Sequence, residues 1–325
     1  MDYRQYPEVQ VRELQRVVTA PLAGRLDTDR LVAEWDEYLR AEKSETTRTA
    51  YMEGLCRFLR WCDAKGLDLA GVGPAHVRQW RDSLKGDYSV GTVNLRLSAV
   101  RVFFRWLVEQ GAPFLNPAAA VGGASRRGQS RRHKRSDLSG KEVVALLGTC
   151  EDTPQGNRDR AILALMAYCA LRTVEIHRAD TSDLDTRDGW PILWVRGKGK
   201  AEADDFVVLT EPVDRALQAW LEDRRRAKGP LFLSLSHRSR SARLGLSHVR
   251  HMVKERMRRA GIRNARKTSH SLRHSAITTA IRNGASPLAV QAMARHRSFD
   301  TTLGYMHEVG RTQDPAEAHI TYSAG

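Results

Sequence analysis

Side chains able to neutralise an anion and move protons recur in a defined order along the second half of this 325-residue chain. Arg172 is followed by Glu175, Lys198 and Lys200 share the stretch Gly197-Lys198-Gly199-Lys200, His270 precedes Arg273, and His296 stands nine residues before Tyr305. A planar guanidinium forks onto two oxygens of a phosphate, where an ammonium offers only a point charge. His270 and Arg273, three apart, project from one face if their segment is helical, which suits a shared anion. A lysine on a glycine-flanked turn can deliver a proton to a leaving oxygen, and a phenol can act as a nucleophile.

Each residue also has a plainer reading. Glu175 is an ion-pair partner for Arg172 along one helix turn, and a lone histidine is more often structural than reactive. A tyrosine near a helix end is ordinary core, and His274 beside Arg273 reads as packing. The joint order is what shifts the balance.

Ala170-Leu171-Arg172-Thr173-Val174-Glu175, the Gly-Lys turn, His270-Ser271-Leu272-Arg273-His274, His296 and Tyr305 together resemble the tyrosine recombinase (phage integrase) family. Its signature is an Arg with Glu three residues on, a hairpin Lys, His-x-x-Arg, a His or Trp, and a Tyr some nine residues later. Ser44, Tyr51, Leu55, Phe58, Trp61, Thr92-Val93-Asn94, Leu97-Ser98-Ala99 and Asn116-Pro117 look like that family's helical core-binding domain, so the likeness spans roughly residues 28–310. Two departures stand out: Ala170 replaces a common Gly, and Ala294-Arg295-His296 replaces a common Leu-Gly-His, which adds a charge beside the site.

The resemblance implies a site-specific DNA recombinase. Tyr305 would form a 3′-phosphotyrosyl bond and conserve the energy of the broken phosphodiester, so that no cofactor, metal or high-energy nucleotide is called for. Arg172 and Arg273 would hold the non-bridging oxygens, with Glu175 supporting Arg172. His270 would act as general base or phosphate donor, and His296 would complete the set. Two lysines share the turn, and the family pattern favours Lys198 over Lys200 as the acid for the departing 5′ oxygen. The implied partners are a double-stranded recombination site and further copies of the chain, a dimer on each site and a homotetramer on the pair, passing through a Holliday junction. An accessory DNA-binding or directionality protein is a further candidate partner. Integration, excision and resolution share this chemistry. The competing functions are a type IB topoisomerase-like nicking-closing enzyme and a catalytically silent architectural DNA-binding protein.

These residues need a scaffold. Residues 28–117 read as helical, with Leu31, Trp35 and Leu39 on one stripe and Tyr51, Leu55, Phe58 and Cys62 on another behind a Ser44 or Thr46 cap. A third stripe, Val93, Leu97, Val100, Phe104 and Leu107, lies beside a polar row of Asn94, Ser98, Arg101 and Arg105, a candidate track for DNA phosphates. Apolar residues nearly vanish from Gly122 to Ser136, where Arg126, Arg127, Arg131, Arg132, Lys134 and Arg135 crowd together; this is a basic linker suited to wrapping a duplex. A capping box, Ser139 with Glu142, opens the second domain. Helical periodicity runs over 159–172, short strands are expected at 192–195 and 206–209 around the Gly-Lys turn, and helices return after 212.

The expected architecture is mainly α with a small β-sheet: an extension (1–27), a helical SAM-like core-binding domain (28–120), the linker (121–137), a mixed α/β catalytic domain (138–310) and a tail (311–325). In the family the two domains form a C-shaped clamp on DNA, and such tails often dock on a neighbouring protomer.

Composition agrees with a polyanionic partner: the formal charge is +15 and the isoelectric point about 10.1, spread over both halves. Cys56, Cys62, Cys150 and Cys169 form no CxxC pair and no metal-ligand spacing, so they read as reduced core residues of a cytoplasmic protein, and the family resemblance implies a nucleoid-associated one encoded by a bacterium, phage or mobile element. No secretory leader or membrane span is expected, because no 18 apolar residues run together.

Overall fold

The computed structural model describes residues 27–112, 115–125, 136–196, 203–236 and 242–313, together with 315 and 318. Lys198, Lys200 and the linker residues Arg126, Arg127, Arg131, Arg132, Lys134 and Arg135 lie outside the described residues. The chain divides into two compact units, Met1–Arg131 and Arg132–Gly325.

Among the described residues the first unit holds four α-helices: α1 (Thr28–Glu42), α2 (Glu45–Ala64), α3 (Pro74–Ser83) and α4 (Val90–Glu109). Asp27, Ser44 and Ser89 cap α1, α2 and α4 by accepting a backbone N–H of the first turn, so each start is written locally. The expected apolar stripes converge on an aromatic core. Trp35, Phe58, Trp80, Phe103 and Phe104 are all buried, with Phe58 edge-on to Trp80 at 5.0 Å and Trp35 edge-on to Phe103 at 5.4 Å. Gly54 sits where α2 crosses α4; a Cβ there would lie 3.0 Å from the Ala99 Cβ, so the missing side chain sets how closely the helices approach. The sequence pattern did not single out α3, a short helix that buries only Val77 and Trp80.

The second unit is built around α6 (Pro154–Tyr168), which follows α5 (Gly140–Leu147) and its Ser139–Glu142 capping box. Ala161 to Met166 are buried on every side of α6, the pattern of a helix enclosed by its neighbours. The helix ends at Tyr168 and not at 172, because Ala170 takes a left-handed conformation with φ 54° and breaks the run before Arg172. After α7 (Thr173–Arg178) comes an antiparallel sheet ordered β1 (Leu184–Arg187), β2 (Trp190–Val195), β3 (Asp205–Val208), with Leu184 opposite Leu193 and Ile192 opposite Val208. β2 and β3 match the two expected strands. β1 carries no strand signal in the sequence, because Leu-Asp-Thr-Arg is a mostly exposed edge without apolar alternation. The helices α8 (Glu211–Arg224), α9 (Leu246–Arg259), α10 (Ser269–Arg282), α11 (Pro287–Ala294) and α12 (Phe299–Gln313) complete the unit.

Mostly helical units with one small sheet are thus the observed fold. One charged cluster lies within the core of the second unit: Asp159 accepts from Arg158 at 2.8 Å and from Arg256 at 2.8 Å, all three being buried. No helix of the described residues is long and apolar enough to cross a membrane.

Candidate active site

Residues from four separate segments of the second unit meet at the ends of α7, α10, α11 and α12. Arg172 is the N-cap residue of α7, and the carboxylate of Glu175 reaches back to it. Oε2 of Glu175 accepts the Arg172 backbone N–H at 2.7 Å, while Oε1 accepts from Nη1 of the same residue at 2.7 Å. The ion pair noted in the sequence is therefore real, and it also closes the helix start. The Arg172 side chain remains 31% exposed, so the pairing leaves part of its guanidinium open to an anion.

Arg273, on α10, is buried and donates to the carbonyl oxygens of Ala170 and Ala294. These two carbonyls belong to the left-handed turn before Arg172 and to the end of α11, so one guanidinium ties both strands of the site to α10. Burial, with the charges of Arg172 and Arg295 behind it, pulls the Arg273 pKa down to about 9. A bound phosphate would relieve that crowding of positive charge.

The two departures from the family pattern occupy equivalent backbone conformations: Ala170 has φ 54° and Arg295 φ 52°. Both positions call for the left-handed region that glycine adopts without strain, which explains the residue usually found there. The Arg295 side chain is buried and forms a 2.7 Å ion pair with Oε2 of Glu175. Burial would raise the Glu175 pKa, yet the Arg295 charge and hydrogen bond, with the Arg172 N–H, hold the carboxyl below its usual value.

His296 follows Arg295. Its Nδ1 shares a 3.0 Å hydrogen bond with the buried Thr302 hydroxyl on α12, and its ring stacks on Tyr305 with centroids 5.8 Å apart and planes 14° from parallel. Burial and the charges of Arg273, Arg172 and Arg295 pull the His296 pKa down to about 4. Tyr305 packs against the small cluster Ala170, Ala276, Ile277, Val290 and Ala294, and its hydroxyl lies 3.2 Å from Nε2 of His274. The ring of His274 is 4.9 Å from that of Tyr305.

Of the residues singled out in the sequence, Arg172, Glu175, Arg273, His296 and Tyr305 are brought together, and His270 lies exposed one turn before His274 on α10. The DNA-track candidates belong to the other unit and have local partners. Asn94 accepts from Ala124 N at 2.6 Å and donates to Ala124 O at 3.3 Å; Arg101 donates to Ala118 O at 3.2 Å and to Val121 O; Ser98 donates to Asn94 O at 2.9 Å. The Asn94 and Arg101 bonds, with Asn116 donating to Arg101 O at 2.9 Å, fasten residues 116–124 along α4, while the Ser98 bond stays within the helix. Arg105 is exposed and loosely paired with Glu109 at 3.8 Å.

Two residues of the site carry only weak signals in the sequence. His274 reads there as packing, although its place four residues after His270 puts both on one helix face. Arg295 was visible as an added charge, but its partner Glu175 is 120 residues away in the chain. Among the described residues no group of three or more His, Cys, Asp or Glu side chains is disposed to hold a metal.

The phage integrase family matches residues 136–310, and the N-terminal SAM-like domain of phage integrases matches residues 32–111. The tyrosine recombinase XerC of Haemophilus influenzae is 31% identical over 280 residues, covering 84% of this chain and 90% of the relative. XerC of Mycobacterium bovis is 31% identical over 286 residues, covering 85% and 93%. Among solved structures, the XerH site-specific recombinase bound to palindromic difH substrate, a post-cleavage complex, shares the fold with a TM-score of 0.70 at 18% identity, covering 94% of this chain and 93% of that one. A lambda integrase dimer bound to a COC′ core site gives 0.66 at 17% identity, covering 92% and 81%. The chain belongs to the phage integrase family, the tyrosine recombinases. It is an enzyme of the site-specific recombinase class.

Proposed function

We propose that the chain cleaves and rejoins double-stranded DNA at a specific site through a 3′-phosphotyrosyl intermediate on Tyr305. The carrying observation is the meeting of the Tyr305 hydroxyl and its histidine neighbour with two arginines, Arg172 and Arg273, that hold more positive charge than the one carboxylate beside them can balance. In this reading the two guanidiniums grip the non-bridging oxygens and stabilise the added charge of the pentacoordinate transition state. The Tyr305 oxygen attacks phosphorus and loses its proton to His274, 3.2 Å away, with His270 one turn earlier on α10 as the alternative acceptor. The bond from phosphorus to the 5′ oxygen breaks, and Lys198 supplies the proton that oxygen needs, with Lys200 as its rival. His296 orients the phenol by stacking. Religation reverses these steps with a new 5′ hydroxyl, so the phosphoryl energy is retained.

Site specificity calls for a dimer on each DNA site and four copies at synapsis, with strands exchanged in pairs through a Holliday junction. Support for that finer statement is indirect: relatives of this fold have been captured as a lambda integrase dimer on a core site and a lambda integrase tetramer on a Holliday junction. The same proposal assigns residues 28–120 and 138–310 to core binding and catalysis, the basic residues of 121–137 to phosphate contacts, and the tail from 311 to docking on a neighbouring copy. An accessory or directionality protein would choose between integration and excision. The setting is the bacterial cytoplasm and nucleoid.

Covalent trapping tests the reading. Sheared genomic DNA incubated with the protein is denatured, adducts are recovered, and the attached sequence is rebuilt as a nicked suicide duplex. A protein–DNA adduct formed by the wild type and lost in Tyr305→Phe is expected. A wild type that never forms an adduct would leave the chain a DNA-binding protein.

A further inference from the structure

Arg295 stands at a backbone position that glycine would occupy without strain, directly before His296, and yet it carries a long charged side chain that is almost wholly buried. A solvated arginine could be accommodated there by chance; a buried one at φ 52° needs compensating partners. It has several. Nη2 pairs with Glu175 Oε2 at 2.7 Å and approaches the Ala170 carbonyl at 3.2 Å, and Nη1 donates to the Met293 carbonyl at 2.6 Å. The Arg295 carbonyl in turn lies 3.5 Å from Nη2 of Arg172.

The consequence is a division of the Glu175 carboxylate. Its Oε1 accepts from Arg172 Nη1 at 2.7 Å and lies 3.5 Å from Arg295 Nε, while its Oε2 accepts from Arg295 Nη2 and from the Arg172 backbone N–H, both at 2.7 Å. Without the Arg295 guanidinium, Oε2 would still hold the Arg172 backbone N–H but would have an acceptor site open for a second prong from the Arg172 side chain, the paired geometry that these groups prefer. Such a pair would draw the arginine onto Glu175 and away from a substrate. Arg295 also shares the Ala170 carbonyl with Arg273, so it links the two arginines that the proposed reaction uses.

We infer that Arg295 is a positioning residue for strand cleavage: by filling the acceptor site that the Arg172 backbone N–H leaves on Oε2 of Glu175, it restricts that carboxylate to a single-oxygen grip on the Arg172 guanidinium and keeps the rest of that guanidinium available to the scissile phosphate. The inference rests on the phosphotyrosyl reading above. Its action is indirect, through Glu175, and Arg295 itself need touch no DNA.

Two measurements on the trapped-site duplex separate this role from a merely structural one: affinity for the intact duplex, and the single-turnover rate of adduct formation at saturating protein. Arg295→Gly relieves the backbone and removes the charge. It is expected to slow adduct formation about 10- to 100-fold, the scale of a misplaced reacting group, with affinity little changed. Arg295→Lys, which restores a cation beside Glu175, should recover much of that loss. Arg295→Gln keeps length without charge, should be slow like the glycine variant, and carries the test if the glycine variant does not fold. A neutral variant that cleaves at the wild-type rate overturns the inference, and so does a lysine variant as slow as the neutral ones. A wild type that forms no adduct overturns both this inference and the reading on which it rests; a wild-type adduct with unchanged variants overturns this inference alone.

Discussion

The hydroxyl of Tyr305 lies 3.2 Å from Nε2 of His274, across 31 residues of chain and between two different helices. A proton acceptor at hydrogen-bond distance from a phenol is what an attacking tyrosine requires. Replacing His274 by Gln is therefore expected to lower the single-turnover rate of adduct formation about 100-fold or more, within the range for losing a positioned general base, while DNA affinity holds. If the Gln variant cleaves like the wild type and His270→Gln does not, the proton passes to His270 and the His274 contact serves only to orient the ring.

His296 gives a signed pH dependence. Its folded-state pKa is depressed to about 4, below the ordinary histidine value, so between those two pH values the unfolded chain binds the extra proton and the folded chain does not. Its contribution to stability is complete above about pH 6.5 and is lost progressively as the pH falls toward 4. Melting temperatures of the wild type should fall more steeply over that window than those of His296→Gln. Parallel curves would show that the imidazole is not held neutral by its surroundings.

Asp159 neutralises two buried guanidiniums, Arg158 and Arg256. Asp159→Ala leaves both without their carboxylate and should destabilise the protein by about 3–5 kcal/mol, the scale for breaking a buried pair from one side. Urea denaturation of the two proteins measures it; a difference under about 1 kcal/mol would place those arginines in reach of water.

On α4 the polar row divides into an exposed Arg105 and the locally bonded Asn94, Ser98 and Arg101. Arg105→Ala should leave thermal stability nearly unchanged and reduce the slope of log affinity against log salt by about one, as expected for one lost phosphate contact. Asn94→Ala should lower the melting temperature instead, because it removes both hydrogen bonds that hold Ala124 to the helix. Equal effects of the two substitutions on the salt slope would return Asn94 to the DNA-facing set.

The cysteines should resist modification. Burial pushes the Cys62 and Cys169 thiols up to about 12, which keeps them in the unreactive protonated form. A thiol reagent should label none of the four buried cysteines rapidly in the native protein and all of them in denaturant. Fast labelling of Cys169 in the native state would mean that the turn before Arg172 opens.

Much of this was legible in the amino-acid sequence alone. Apolar residues spaced three and four apart marked the faces of α1, α2 and α4, the Ser44 and Ser139 caps marked helix starts, and the order from Arg172 through Arg273 and His296 to Tyr305 marked residues that the fold brings together. These are local signals, written within a few residues because helical periodicity and capping are themselves local. The tertiary structure decided what spacing cannot express: that α6 stops at Tyr168 to let Ala170 turn, that Asn94 and Arg101 bind their own chain, that Glu175 is shared between Arg172 and Arg295, and that His274 meets Tyr305. The last two join residues 120 and 31 positions apart, and only the packing of α7, α10, α11 and α12 against one another sets those distances.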